Sequence, residues 1–242
     1  MKLKLPVSRF PRQFNPTILE MIDRPEIDRS ILVGELKNLR KINQWFGTHR
    51  MLRREIELFM SKNKLQALSI LDLCTGSADN PQAIVDWYRQ SQIPIRITAT
   101  DINSNILEQA KHECVGYPEI CFEKINALAP PYPDLQFDVV MCNLALHHFT
   151  VEDAVQILKQ MWRLTRGMIL MSDLHRSRII SVLTQIFIPL WTSNSMTRFD
   201  ANLSVQRAFT WDELLRLAFQ AKIPNPKINR YSPIHQVLTA NK

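Results

Sequence analysis

The sequence predicts an α/β protein, with a doubly wound, mostly parallel sheet of seven strands and a helical cap on its N-terminal side. Three observations carry that expectation. Short apolar runs alternate with helix-period runs for about 100 residues from Leu68 onward, the pattern of repeated strand–helix–strand units. The apolar runs are nearly continuous, as in strands buried on both faces. Residues 1–64 show helical spacing and proline-broken chain but no such run.

The N-terminal segment opens as an arm with Pro6, Pro11 and Pro16 among Arg9, Arg12 and Arg24. Pro25 suits the first position of a helix. Ile27, Ile31, Leu32, Leu36, Leu39, Ile42 and Phe46 then recur at helical spacing. Gly47 supplies a left-handed stop, and a second amphipathic helix is expected over about 50–62. Leu68–Leu73 reads as the first buried strand, followed by the turn Cys74-Thr-Gly-Ser-Ala-Asp-Asn80 and a helix opened by Pro81. Ile95–Thr100 is the second strand, with a helix over about 104–115. Ile120–Ile125 is the third, and Phe137–Cys142 the fourth. Thr150-Val-Glu-Asp153 resembles a capping box ahead of Val155, Ile157, Leu158 and Met161. Met168–Ser172 is the fifth strand. The apolar run Ile179–Trp191 interrupts the alternation, within an insertion spanning about 177–209. Thr210-Trp-Asp-Glu213 is a second capping box, and Lys227–Tyr231 with His235–Thr239 suggest a closing hairpin. The expected organisation is an arm and helical cap over 1–64 and one sheet domain over 65–242.

Composition narrows the class. The 242 residues are 45% hydrophobic and 22% charged, ordinary for a globular chain with a real core. Only five glycines are present, so one in a tight turn stands out. Cys74, Cys114, Cys121 and Cys142 form no CxxC pair, which speaks against zinc or a redox motif. The N-terminus lacks an apolar leader and no run reaches 18 apolar residues; a reducing, cytoplasmic setting is the expectation. The net charge of +7 is uneven: residues 1–66 carry +7, 67–164 carry −6 and 165–242 carry +6. Basic ends around an acidic middle suit an anionic ligand or a membrane surface as well as an uneven solvated surface. No metal cluster is apparent.

Open parallel sheets bind ligands at the carboxyl ends of their strands. The residues there are Asp72, Cys74, Gly76 and Asp79 after the first strand, and Asp101 after the second. Asn126-Ala127 follows the third, Asn143-Leu-Ala-Leu-His147-His148 the fourth, and Asp173-Leu-His175-Arg176 the fifth. A carboxylate after the second strand suits a ribose diol, and a glycine turn after the first lets backbone approach a ligand closely. A dinucleotide calls for G-x-G-x-x-G over a helix N-terminus. Here one glycine of three is present, and Asp72 and Asp79 add negative charge where a pyrophosphate would sit. A nucleoside carrying positive charge fits better.

These residues resemble class I S-adenosylmethionine-dependent methyltransferases. Leu-Asp72-Leu-Cys-Thr-Gly76-Ser-Ala-Asp79 resembles their first motif, Asp-x-Gly-x-Gly-x-Gly. Ala-Thr-Asp101-Ile102-Asn resembles their ribose-binding acidic turn. Asn126-Ala127 stands where residues flank adenine, and Phe-Asp138-Val-Val-Met-Cys-Asn143-Leu-Ala-Leu-His147-His148-Phe resembles their fourth strand and the turn after it. The resemblance covers about residues 65–175. It implies a Rossmann-like fold and S-adenosylmethionine as methyl donor, held by Asp72, Cys74, Gly76, Asp79, Asp101, Ile102, Asn126, Ala127 and Asn143. The wording is most similar to small-molecule methyltransferases of the quinone-biosynthesis type. The implied acceptor is a phenolic or lipophilic small molecule, methylated on oxygen or carbon by in-line displacement.

Cys74 and Ala78 replace two of the family's glycines. Alanine at 78 implies an ordinary negative φ, and Cys74 adds bulk beside the cofactor path. His147, His148 and His175 are the candidate general bases, against a reading in which they only wall the site. His49, His112 and His235 read as surface or packing residues, and Cys142 as strand core. Pro130-Pro-Tyr-Pro133 precedes the fourth strand rather than following it, which disfavours a nucleobase-amine methyltransferase. The Ile179–Trp191 run is either a packed core helix or the apolar wall of a substrate pocket that can touch lipid. The competing functions are an RNA-directed methyltransferase, suggested by the basic charge, a degenerate partner protein, and an NAD-linked enzyme.

Overall fold

The computed structural model describes residues 10–24 and 27–242. Two helices come first. Helix α1 spans Arg29–Trp45 and starts at Asp28, whose side chain accepts from the backbone N–H groups of Ser30 and Ile31. The cap at Asp28 replaces the start expected at Pro25, and Pro25 itself lies outside the described residues. Gly47, at φ 76°, turns the chain into α2, Thr48–Asn63.

Strands β1 (Leu68–Leu73), β2 (Ile95–Asp101), β3 (Ile120–Lys124), β4 (Phe137–Asn143), β5 (Thr165–Leu174), β6 (Lys227–Arg230) and β7 (His235–Asn241) form one sheet in the order β3-β2-β1-β4-β5-β7-β6. The first five are parallel; β7 is antiparallel to β5, and β6 to β7. The order reverses direction between β1 and β4, which is where an open α/β sheet forms its ligand crevice.

Helices cover both faces. On one, α2 packs with α3 (Asp79–Ser91) over Ile70, Ile97, Met141, Leu170 and Val237. On the other, α5 (Val151–Leu164) and α8 (Trp211–Gln220) cover Leu71, Val140, Met171 and Leu238. Helix α4 (Ser104–Glu113) lies between β2 and β3 in the chain. Both capping residues behave as expected. Thr150 accepts from the Asp153 N–H, and Thr210 forms a full capping box with Glu213. Gly167 is fixed by close approach: a Cβ there would lie 2.4 Å from Phe59 Cζ and 2.6 Å from the Asp138 carbonyl oxygen.

The apolar run forms α6, Arg178–Trp191, but not as a packed core helix. Ile179, Val182, Leu183, Ile186, Phe187 and Leu190 are exposed, and only Ile180 and Ser181 are buried. Helix α7, Ser195–Arg207, packs against it. The sequence did not single out α7, because its apolar residues do not gather on one side at helical spacing.

Residues 10–24 of the N-terminal arm are held in place by arginines, while Pro6 and Arg9 lie outside the described residues. Arg207 donates to the carbonyls of Asn15 and Ile18, and Arg176 to that of Phe10. Arg12 donates in turn to the carbonyls of His147 and Phe149. Asp200 accepts from the N–H groups of Met21 and Ile22 at 2.7 and 3.1 Å. The arm thus lies across the turn after β4, held by α7.

Candidate active site at the strand ends

The turn between β1 and α3 has left-handed φ at three alternating positions: Cys74 (58°), Gly76 (57°) and Ala78 (54°). An ordinary φ at Ala78 is therefore not what the chain adopts. Each non-glycine residue in this region costs about 1–2 kcal/mol, and the side chains show what offsets it. The Ala78 methyl is fully buried in the α2–α3 face of the core. Cys74 packs against the opposite face, beside Cys142. Its bulk is thereby turned into the core rather than across the cofactor path. Contact with the Cys142 thiol, together with burial, pushes the Cys74 thiol up, so it stays protonated and unreactive. At Gly76 nothing lies within 4 Å of where a Cβ would be. The turn therefore keeps its one bare position where it is open to a ligand.

Asp72 is 1% exposed. Its carboxylate accepts from the Thr75 hydroxyl at 2.7 Å and faces the Asn143 amide at 3.5 Å. Burial raises its pKa to about 7, against the Thr75 bond and with the repulsion of Asp79 and Asp101. Asn143 in turn accepts from the Ser172 hydroxyl at 2.8 Å. Asp72, Asn143 and Ser172 thus form a polar row at the ends of β1, β4 and β5. Asp101 closes the other side: it accepts from the Gly76 N–H at 3.2 Å and the Asn103 N–H at 2.9 Å. Burial raises its pKa, opposed by those two bonds, and Asp23 of the arm adds to the rise.

Ile102, next to Asp101, is 61% exposed. Asn126 is exposed and its side chain accepts from the Leu128 N–H; Ala127 is buried. The residues present fit an adenosine carrying a cationic tail. The Asp101 carboxylate could accept from a ribose diol, the exposed Ile102 side chain is free beside it, and a buried carboxylate near neutrality would gain most from an incoming ammonium.

Asp79 is placed differently. Its carboxylate accepts from the Asn43 amide (3.0 Å), His49 Nε2 (2.8 Å) and the Ser77 hydroxyl (2.8 Å). Burial alone would raise its pKa, but these partners hold it below the usual carboxylate range. It joins the cap helices to the turn, and His49 is the partner that sequence reasoning set aside.

The three histidine candidates separate. His147 is buried; its Nδ1 meets Asp173 at 2.6 Å, and its N–H donates to the same carboxylate. His148 Nδ1 meets Asp23 at 2.6 Å. Burial opposes its charge, but Glu20 and Asp23 outweigh that and lift its pKa to about 10. His175 stacks on Trp211 at 3.9 Å and lies beside Arg230 and Arg176. Burial, then those two cations, lowers its pKa to about 4. It stands at the α8 side of the sheet, so the structure does not bring it to His147 and His148. Asp173, fully buried, is the partner of His147 to which the sequence assigns no role. Its place at the end of the fifth strand, across from the turn after the fourth, was the available signal.

Comparisons with known proteins find likenesses to methyltransferases. Residues 70–167 match the family described as "Methyltransferase domain". The chain is 31% identical over 111 residues to a demethylmenaquinone methyltransferase from Lysinibacillus sphaericus, covering 45% of each. It is 26% identical over 152 residues to a ubiquinone/menaquinone biosynthesis C-methyltransferase, UbiE, from Rickettsia bellii, covering 62% of this chain and 59% of that one. The chain thus spans about half the length of the curated relatives it matches. Human N-acetylserotonin methyltransferase, solved in complex with SAM, superposes with a TM-score of 0.64 at 15% identity, over 89% of this chain and 56% of that one. Residues 70–167 are thus similar to the methyltransferase domain family, and the chain shares the fold of a methyltransferase solved with SAM.

Proposed function

We propose that the chain transfers the methyl group of S-adenosylmethionine to an oxygen or carbon of a small quinol- or phenol-type acceptor. The observation that carries this reading is the rim formed by Asp72, Gly76 and Asp101, where one open glycine turn lies between a buried carboxylate and a half-buried one. The names of the quinone-pathway relatives support the acceptor class.

When bound, the cofactor supplies a methyl group already activated on a sulfonium. The protein's own task is then to align and to exclude water, and orientation contributes about 7–11 kcal/mol in such steps. Asp101 accepts from the ribose hydroxyls with the lone pairs that Gly76 and Asn103 leave free. Asp72 holds the ammonium, oriented by Thr75 and Asn143. Ile102, Asn126 and Ala127 would hold the adenine. Cys74 and Asp79 act indirectly, by setting the turn and tying it to α1 and α2. Among the three candidates, His147 is the histidine on the acceptor side, with its ring fixed by Asp173.

The exposed apolar side of α6 supports a lipophilic acceptor. The helix has 14 residues, about 21 Å of length, and no helix among the described residues is long and apolar enough to cross a membrane. Lying on a bilayer surface, α6 would receive a hydrocarbon tail without spanning. The RNA-directed alternative is disfavoured by where the charge goes: Arg176 and Arg207 are buried and bonded internally, so they are not offered to phosphates.

The test is incubation with S-adenosylmethionine and a panel of quinols and phenols, followed by mass spectrometry. A methyl adduct on a hydroxylated aromatic is expected, lost in Asp101→Asn. Transfer to RNA with none to the panel would overturn the acceptor class.

A further inference from the structure

We propose that Glu20, His147 and His148 form a binding site for a first-row divalent transition-metal ion. Glu20 comes from the arm and the two histidines from the turn after β4. One carboxylate oxygen and one ring nitrogen from each histidine lie within 4.8 Å of one another. His147 Nε2 is 3.9 Å from Glu20 Oε1, and His148 Nε2 is 3.8 Å from Glu20 Oε2.

Two features favour an ion over a plain ion-pair cluster. First, both rings have Nδ1 engaged by a carboxylate, Asp173 for His147 and Asp23 for His148, each at 2.6 Å. A carboxylate on Nδ1 fixes the tautomer with Nε2 as the free donor, the arrangement that orients metal-bound histidines. Second, gaps of 3.8–3.9 Å are too long for hydrogen bonds. They exceed by only a few tenths of an ångström the roughly 3.3–3.6 Å that separates two ligand atoms at about 2.0–2.2 Å from a tetrahedral ion. Glu20 is 2% exposed and its Oε1 has no hydrogen-bond partner, which is costly for a buried carboxylate.

Two imidazoles and one carboxylate select zinc, cobalt, nickel or iron over magnesium or calcium. Asp23 and His148 are partly exposed, which gives an entry path. Three protein ligands leave a position open; on the methyltransferase reading, it would take an acceptor oxygen.

The test uses the full chain, stripped with chelator and titrated with Co²⁺ at pH 8. Visible absorption reports coordination, and competition with Zn²⁺ shows whether the site is shared. One ion per chain is expected, with affinity reduced at least 100-fold in Glu20→Gln and in His148→Ala, and about 10–100-fold in Asp23→Asn. Circular dichroism confirms that each variant is folded. No stoichiometric Co²⁺ or Zn²⁺ binding by the wild-type chain overturns the proposal, as does binding by folded Glu20→Gln at wild-type affinity. Titration of S-adenosylmethionine into the same metal-free samples separates the two readings, because it reports on Asp72 and Asp101 without the ion.

Discussion

Replacing Gly76 by alanine separates the fold from the site. Gly76 has φ 57°, where an L side chain costs about 1–2 kcal/mol. Alanine also restricts the unfolded chain, which returns about 0.4–1 kcal/mol. No steric penalty is added, since nothing lies within 4 Å of the new Cβ. The net loss is therefore roughly 0.5–1.5 kcal/mol, or a few degrees in Tm for a chain of this size. The methyl group does, however, occupy the open side of the turn. Overpacking there costs about 1–3 kcal/mol in binding, so S-adenosylmethionine affinity should fall about 5- to 150-fold. Denaturant unfolding and calorimetric titration read the two effects independently. Unchanged affinity in a folded Gly76→Ala chain would refute the assignment of the turn as cofactor cradle. Loss of the fold would refute the energy balance.

Further outcomes follow from other contacts. His49→Ala removes a bond to ionised Asp79 at 2.8 Å, so urea unfolding should show a loss of about 1.5–3 kcal/mol; a loss under 0.5 would mean that the cap helices are held elsewhere. Asp72 has a folded pKa raised to about 7 by burial, so its ionisation penalises the fold as pH rises from about 4 through 7. Asp72→Asn should then gain stability over wild type by roughly 1–3 kcal/mol more at pH 8 than at pH 5, and an equal difference at both would contradict the burial argument. Gly167→Ala forces its methyl group against the Asp138 carbonyl and should cost about 1–3 kcal/mol in thermal or urea unfolding. Ile186→Asp with Phe187→Asp on α6 should abolish sedimentation with lipid vesicles while leaving cofactor affinity unchanged; sedimentation of the double variant at the wild-type level would remove α6 from the acceptor reading.

What could be read from sequence follows from periodicity. Strands β1, β4 and β5 are buried on both faces, so their apolar runs announce them; β2 and the edge strand β3 are more exposed but keep apolar runs of their own, and the residues just after each run mark the crevice. Asp72, Gly76, Asp101 and Asn143 were visible for that reason. Side-chain direction was not. Whether Cys74 and Ala78 point into the core or the crevice depends on left-handed backbone that a sequence of non-glycine residues argues against. Asp79 reads as a cofactor residue by position, yet His49 and Asn43, 30 and 36 residues earlier, take its carboxylate. The arm was the least legible part. Glu20 and Asp23 reach His147 and His148 more than 120 residues away, and no local pattern encodes that pairing. The run at 179–191 is apolar enough for a core helix, but the sheet faces are already covered by α2, α3, α5 and α8.

The most direct test of the account is calorimetric titration of S-adenosylmethionine and S-adenosylhomocysteine into the wild-type chain and Asp101→Asn, with NADH as control. Micromolar binding of both ligands, none of NADH, and a loss of about 10- to 150-fold in the variant are expected, from charge-assisted hydrogen bonds worth about 1.5–3 kcal/mol. Wild-type binding of neither ligand, or equal binding by Asp101→Asn, would contradict it.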